Sequence, residues 1–410
     1  MRAVLLTAAL ALALPVGAAE INASLSVAPE VDTDNRASPY FVGPPTVPVQ
    51  NRTLRSDLEL RLREGGFNAQ GILREQAAQS TKPEQHGIVN QFYYDGELRE
   101  GLGWTAGKKV ISWGVGFGFR PLDVVQRENR RGVNLPALVG VPLLAVERFM
   151  TDAAWTLAWT SPGQGAGSAH GNDESRDSSL AFHWYQLAGS DDLHAVARLS
   201  HRRGFEAGFG ATRVVGEEWS FHGAALYERH YAKSLNTLAE NGGLFATADP
   251  MTSTPLRNGA KAVAGTQWTG ASGWSVLAEG WYDADAYNIA EWRRLDVLTA
   301  RQRALVGLAP SAAVAGNVGW SSQAYLATNL LRENLLLRLS YDDGDGFKPY
   351  AELLATPRDG GKVLTVGAAH EGNRQRFSGG LRQLGGAEES VYARAPLKRM
   401  AWLEWRIAFF

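Results

Sequence analysis

Residues 54–64 read LRSDLELRLRE. Leu54, Leu58, Leu60 and Leu62 share one parity, with Ser56 the only gap, and Arg55, Asp57, Glu59, Arg61 and Arg63 take the other. Successive side chains on a strand point to opposite faces, so this is a strand with a leucine face and a charged face. Wound as a helix, the same leucines would spread around the cylinder and leave no stripe. A soluble sheet makes such a strand with its leucines inward. A membrane barrel makes it with leucines toward lipid and charges toward a wet lumen.

The rest of the chain repeats the alternation in short segments separated by Gly, Asp and Asn. The pattern predicts strands over 67–76, 86–95, 97–106, 108–119, 153–161, 178–188, 193–203, 205–215 and 217–230. It continues over 259–269, 273–283, 317–329, 333–343, 347–357, 362–371, 373–384 and 399–410. Trp155, Leu157 and Trp159 share a parity, as do Leu180, Phe182 and Trp184. Lengths near ten residues match tilted membrane-spanning strands.

Connection lengths sort the segments independently. With 54–64 taken as rising from the periplasm and direction alternating thereafter, the long connections 120–141, 162–177, 231–258 and 284–316 all fall on the outer side. The other side is mostly tight, at 106–108, 151–152, 189–192, 216 and 270–272, with 76–85 the exception. Outer-membrane barrels show this asymmetry, and a soluble sandwich has no reason to. A periplasmic C-terminus then requires one more strand over 388–395. The expected fold is all-β: a transmembrane antiparallel up-and-down barrel of roughly eighteen to twenty strands spanning 54–410.

The ends give the compartment. Residues 1–19 carry Arg2, an apolar run over 3–14 and the small residues Gly17, Ala18 and Ala19, the pattern of a secretory signal cleaved after Ala19. The run is shorter than the ~20 residues of a spanning helix. Residues 20–53 hold Pro29, Pro39, Pro44, Pro45 and Pro48, which oppose helix and inner strand. They read as an irregular lead that trails in the periplasm or enters the barrel as a partial plug.

Composition sharpens this picture in three places. The absence of Cys excludes thiol nucleophiles and cysteine ligands, and leaves an exported protein held by burial and backbone pairing. A net charge of −1 gives no bias toward nucleic acid. Thirteen Trp and twelve Tyr suit aromatic girdles at two membrane interfaces.

The last strand, AWLEWRIAFF, ends on Phe410. With the export signal and the run of strands, it resembles the end of Gram-negative outer-membrane barrels, where a terminal Phe helps the assembly machinery recognise the strand. The apolar parity is Ala401, Leu403, Trp405, Ile407 and Phe409, so either the lipid face carries Phe409 or a bulge shifts the register. Residues 108–123, KKVISWGVGFGFRPLD, resemble a strand of poorly characterised porin-like families in which a Trp-Gly pair closes the strand and Pro-x-Asp opens a loop. Trp113, Gly114, Pro121 and Asp123 match that pattern; Arg120 stands where many relatives have Asn. The resemblance implies an outer-membrane, porin-like barrel.

Candidate chemistry is limited to the lumen. The inward set Arg55, Asp57, Glu59, Arg61 and Arg63 is of mixed sign and pairs most simply across the wall. Arg120 and Asp123 flank a corner that serves either as a structural bend or as a constriction. Arg127, Arg130 and Arg131 lie in the first long loop, with Arg148 on the following strand. Folded inward they would line an anion-favouring eyelet; folded outward they meet solvent or lipopolysaccharide. Residues 290–308 carry Leu295, Leu298, Leu305 and Leu308 at helical spacing, predicting a short helix in an outer loop that acts as a lid or a cap. No metal-ligand spacing and no cofactor motif appears. Ser200 and His201 are neighbours that face opposite ways on a strand and cannot form a dyad; Ser220 and His222 share a parity and are at best a weak nucleophile–base pairing.

The expected function is passage of a small hydrophilic solute through a loop-narrowed lumen in the outer membrane of a Gram-negative bacterium. The expected partners are outer-membrane lipid and lipopolysaccharide, the barrel-assembly machinery and the solute, with no nucleic acid and room for a homo-oligomer. Two alternatives stay open: a plugged barrel docking in an envelope assembly, and a lipid-modifying barrel enzyme.

Overall fold

The computed structural model describes residues 19–41, 51–79, 81–128, 138–161, 177–342 and 344–409. Strands β1 to β6 are Glu20–Asp34, Arg52–Glu64, Phe67–Ala78, Glu84–Arg99, Leu102–Lys109 and Val141–Phe149. Strands β7 to β12 are Ala153–Thr160, Ser179–Ala188, Asp191–Ser200, Gly204–Val215, Trp219–Asn236 and Met251–Thr269. Strands β13 to β18 are Trp274–Asp283, Glu333–Tyr341, Phe347–Thr356, Gly361–Glu371, Gln375–Gly386 and Leu397–Ala408. Each pairs antiparallel with its neighbours in sequence, and β1 also pairs with β18, so the sheet closes on itself. Closure leaves no backbone edge, the condition for strands to cross lipid. The described helices are not long and apolar enough to cross a membrane.

The alternation read at 54–64 sets the two faces. Leu25, Leu58 and Leu73 stand in register on the outer face, and Ser26, Asp57 and Arg74 in register on the inner one. Leu337, Leu381 and Leu403 on later strands leave 50%, 66% and 66% of their surface outside. A belt of this kind is the lipid face of a membrane barrel. That face holds Leu403 and Trp405 on β18 and Phe409 just past its end, with Trp402 turned inward and buried. Phe410 lies outside the described residues.

Eighteen strands fall within the expected range, but several bounds change. The segment 20–53, expected to be irregular, begins with β1, the strand that closes the barrel. Its Pro29 is tolerated because the ladder to β18 passes from Val27–Trp405 to Glu30–Trp402 and leaves Ala28 and Pro29 unpaired on that side. Residues 86–95 and 97–106 are not separate strands. β4 runs through Gly96, where the Trp104 indole lies so close that a Cβ would come within 2.3 Å of its Nε1. Residues 108–119 leave the wall after Lys109 and turn into the lumen. Residues 231–258 are in large part strand, because β11 and β12 continue as a long hairpin before and after α1, Thr237–Asn241.

The helical connection after β13 contains α2, Ile289–Arg303, and α3, Ser311–Ser322, followed by the 3₁₀ turn Gln323–Leu326. The strand expected over 317–329 is therefore helical. Its Ala, Gly and Ser residues mask parity, whereas Val314, Ala315 and Val318 form a buried helical face. The strand expected over 388–395 is the short helix α4, Val391–Arg394, begun by the Ser390 side chain accepting from Ala393 N.

These changes compensate. The unrecognised β1 inverts the direction of 54–64, and the surplus strand at 108–119 inverts it back. The start of β1, the end of β18 and the tight turns at 65–66, 100–101, 150–152, 189–190, 216–218 and 270–273 share one end of the barrel. The four long connections share the other, and 76–85, the apparent exception, joins them.

Candidate functional site: a loop folded into the lumen

The chain leaving β5 at Lys109 crosses the barrel interior as far as Gln126. Its own residues fold it into a compact corner. The Asp123 carboxylate accepts from Trp113 N and Gly114 N, both at 2.6 Å, and from Ser112 Oγ at 3.1 Å. Arg120 Nε donates to Gly116 O at 3.0 Å and its Nη1 to Ser112 Oγ at 2.8 Å. Gln126 Oε1 accepts from Ile111 N and closes the two legs. Gly116 sits at φ +108°, and a Cβ there would strike Phe119 O. Burial pushes the Asp123 carboxyl above its ordinary value, against the pull of the Gly114 and Trp113 amides and of Arg120. Trp113, Gly114, Pro121 and Asp123 thus form one structural unit, with Arg120 as its clasp.

That unit docks on the wall from β8 to β14. Leu122 is fully buried against a core that includes Val196, Leu226, Val263, Leu277 and Leu336. The inward positions beneath it on β10 are glycines. A Cβ at Gly208 would come within 2.6 Å of the Leu122 side chain, and one at Gly210 within 2.8 Å. A carboxylate then fixes the loop backbone. Glu279 on β13, buried, accepts from Phe117 N at 2.5 Å, Gly118 N at 2.6 Å and His222 Nε2 at 2.6 Å. The Arg338 guanidinium on β14 lies over the Phe117 ring at 5.2 Å and the Tyr350 ring at 4.1 Å.

Arg127 follows the loop into a buried ionic belt on β9 to β13. It pairs with Glu228, with Asp285 at 2.7 Å and with Glu206 at 3.5 Å. Arg198 holds Glu206 at 2.6 Å, Arg203 holds Glu228 at 2.6 Å, and Lys261 holds Asp285 at 2.6 Å. Burial alone would raise the Asp285 pKa; Lys261, Arg127 and Arg203 outweigh it and hold the carboxyl below the usual range. The charge expected to line an anion-favouring eyelet is, for Arg127, shared among three carboxylates against the wall. Arg130 and Arg131 lie outside the described residues. Arg148, opposite Leu102 and Trp155, has the parity of the outer face.

The facing wall, β17, β18 and β1 to β3, carries the mixed charges read from 54–64. Asp57 receives Arg74 through two bonds of 2.8 and 2.9 Å and Arg55 at 3.4 Å. Glu59 receives Gln70 at 2.6 Å, Arg406 at 2.8 Å and Arg61 at 3.4 Å. Arg63 stands opposite Glu20 near the tight-turn end. The lumen therefore has a loop-filled side, where apolar side chains pack beside buried ion pairs, and a facing side of laterally paired charges.

At the long-loop end, α2 bridges the mouth. Asn288 and Glu291 form its capping box. Glu291 meets Lys233 of β11 at 3.2 Å, and Asp296 receives Tyr40 Oη at 2.9 Å and Arg394 of α4 at 2.8 Å. Leu295 and Leu298 are buried, as the helical spacing predicted, and Trp292 is buried with them, while Leu308 is 81% exposed beyond the helix end. Sequence reasoning missed Glu279, Glu206, Glu228 and Lys261. Their signal was charge on the inner parity of strands rich in Gly and Ala.

No protein-family model and no curated protein matches this chain. Solved structures do. Pseudomonas aeruginosa OccK5 (OpdH) is 8% identical, with 95% of this chain and 97% of that one covered and a TM-score of 0.53. Pseudomonas aeruginosa OccD3 (OpdP) is 8% identical, covering 95% and 91%, also at 0.53. A triple mutant of Rhodopseudomonas blastica porin is 11% identical over 95% of this chain and all of that one, at 0.43. What this chain shares with the two Pseudomonas proteins is the fold, a closed antiparallel barrel of the porin type.

Proposed function

We propose that this protein is an outer-membrane channel through which a small hydrophilic solute diffuses, along the polar side of a lumen narrowed by residues 110–126. The observation that carries this reading is the division of the lumen. One side is filled by Leu122, Glu279 and their neighbours, and the other keeps the paired charges of Asp57, Glu59, Arg61 and Arg74. Paired charges of both signs keep a bore wet without a strong ion preference. Residues 1–19 serve as the export signal of a Gram-negative bacterium, and Phe410 as the assembly signal. Lipopolysaccharide surrounds the long-loop end, and the outer belt accommodates further copies of the chain.

Single-channel recording in planar bilayers tests the reading. Small, steady, ohmic current steps with weak cation–anion discrimination are expected. The apolar core joining the loop, α2 and the wall favours a second reading, a plugged barrel that docks other envelope proteins. Electrical silence of correctly folded protein would favour it.

A further inference from the structure

Beside the docked loop lies a pair of histidines that the channel reading does not use. His183 on β8 and His194 on β9 share the inner face with Val196, and His183 Nε2 lies 3.1 Å from His194 Nδ1. The Trp113 indole of the inward loop stacks on His183, with ring centroids 5.1 Å apart. Both imidazoles are partly exposed to the lumen. We propose that His183 and His194 form a subsite for one divalent transition-metal ion of the Cu²⁺, Ni²⁺ or Zn²⁺ class.

Geometry supports the pairing. Two metal–nitrogen bonds of about 2.0–2.1 Å, meeting at about 90–110°, place their nitrogens roughly 2.9–3.4 Å apart. The pair already stands at that separation, on adjacent strands of a closed wall. In the metal-free pair one nitrogen carries the hydrogen shared with the other. The rings meet nearly head-on, with centroids 5.4 Å apart, so a swing of each ring by roughly 35–45° directs both lone pairs to one point, and that hydrogen moves to the distal nitrogen of its own ring. No covalent bond of the protein framework breaks and no net proton is released.

Asp192, two residues before His194 on the same face, accepts from Tyr185 Oη at 2.5 Å and adds negative charge nearby. Among the described residues no group of three His, Cys, Asp or Glu side chains converges, so lumen water completes the coordination. Imidazole donors suit this class of ion and not Mg²⁺ or Ca²⁺, which take oxygen. Cu²⁺ stands highest in the affinity order and is the probe of choice.

The test uses the full mature chain without a histidine tag, in detergent, so it stands whether or not the barrel conducts. Titration with CuCl₂ is expected to show one bound ion, with paramagnetic resonance reporting two nitrogen ligands. His183→Gln and His194→Gln should each weaken binding by more than the roughly 10–100-fold that loss of an outer-shell partner produces. His370→Gln, at an exposed position on β16, should leave both affinity and spectrum unchanged. Sheet circular dichroism and heat-modifiable migration of His183→Gln and His194→Gln that match wild type control for folding. Absence of binding, binding indifferent to His183 and His194, or a spectrum that follows His370 would each overturn the proposal.

Discussion

At the scale of single residues, one carboxylate does most to fix the inner loop. Glu279 gives Phe117 N and Gly118 N a charged acceptor out of reach of solvent. Hydrogen bonds to charged groups contribute about 1.5–3 kcal/mol each, and a buried amide left without a partner carries a desolvation penalty of similar size. Glu279→Ala should therefore loosen the loop by about 3 kcal/mol. Amide exchange at Phe117 and Gly118 should quicken by about a hundredfold, since 1.4 kcal/mol is a factor of ten. Unchanged protection there would contradict the assignment.

Asp285 makes a second prediction, and its sign follows from its depressed pKa. A carboxyl held below its ordinary value of 3.8 contributes stability that is complete above that value and lost as pH falls toward the folded one. The stability difference between wild type and Asp285→Asn should be constant from about pH 8 to about pH 5 and shrink in more acid solution. Thermal unfolding across that series measures it. A difference that changes near neutrality would assign the effect to another group.

At the scale of elements, residues 110–126 pack against one side of the bore. The Trp-Gly and Pro-x-Asp residues were legible as a corner, and the corner formed. Its extension as a strand over 108–119 was the misreading, because Gly114, Gly116 and Gly118 alternate with apolar side chains as a strand would. What alternation cannot show is that the wall beneath, at Gly208 and Gly210, has been emptied of side chains to receive Leu122. Replacing 111–125 with a short Gly-Ser linker should raise single-channel conductance severalfold. An unchanged conductance would place the narrowest point elsewhere, with α2 at the mouth as the first alternative. The helix itself was readable from Leu295 and Leu298, whereas Tyr40 and Arg394 reach Asp296 from parts of the chain that local pattern does not connect.

At the scale of the molecule, period-two alternation was enough to determine a barrel. A strand with leucines on one side and charges on the other needs two different media, and repetition around a closed sheet supplies both. Sorting of the long connections to one end was likewise readable, because the overlooked β1 and the surplus strand at 108–119 cancel in the parity count. Tertiary structure alone decided what fills the bore. Phe117 meets Glu279 across 162 positions of sequence, and Arg127 meets Asp285 across 158. Parity tells each side chain which face it occupies. Only closure of the sheet fixes which distant strand stands opposite, and the buried charges of the lumen take their partners from that arrangement.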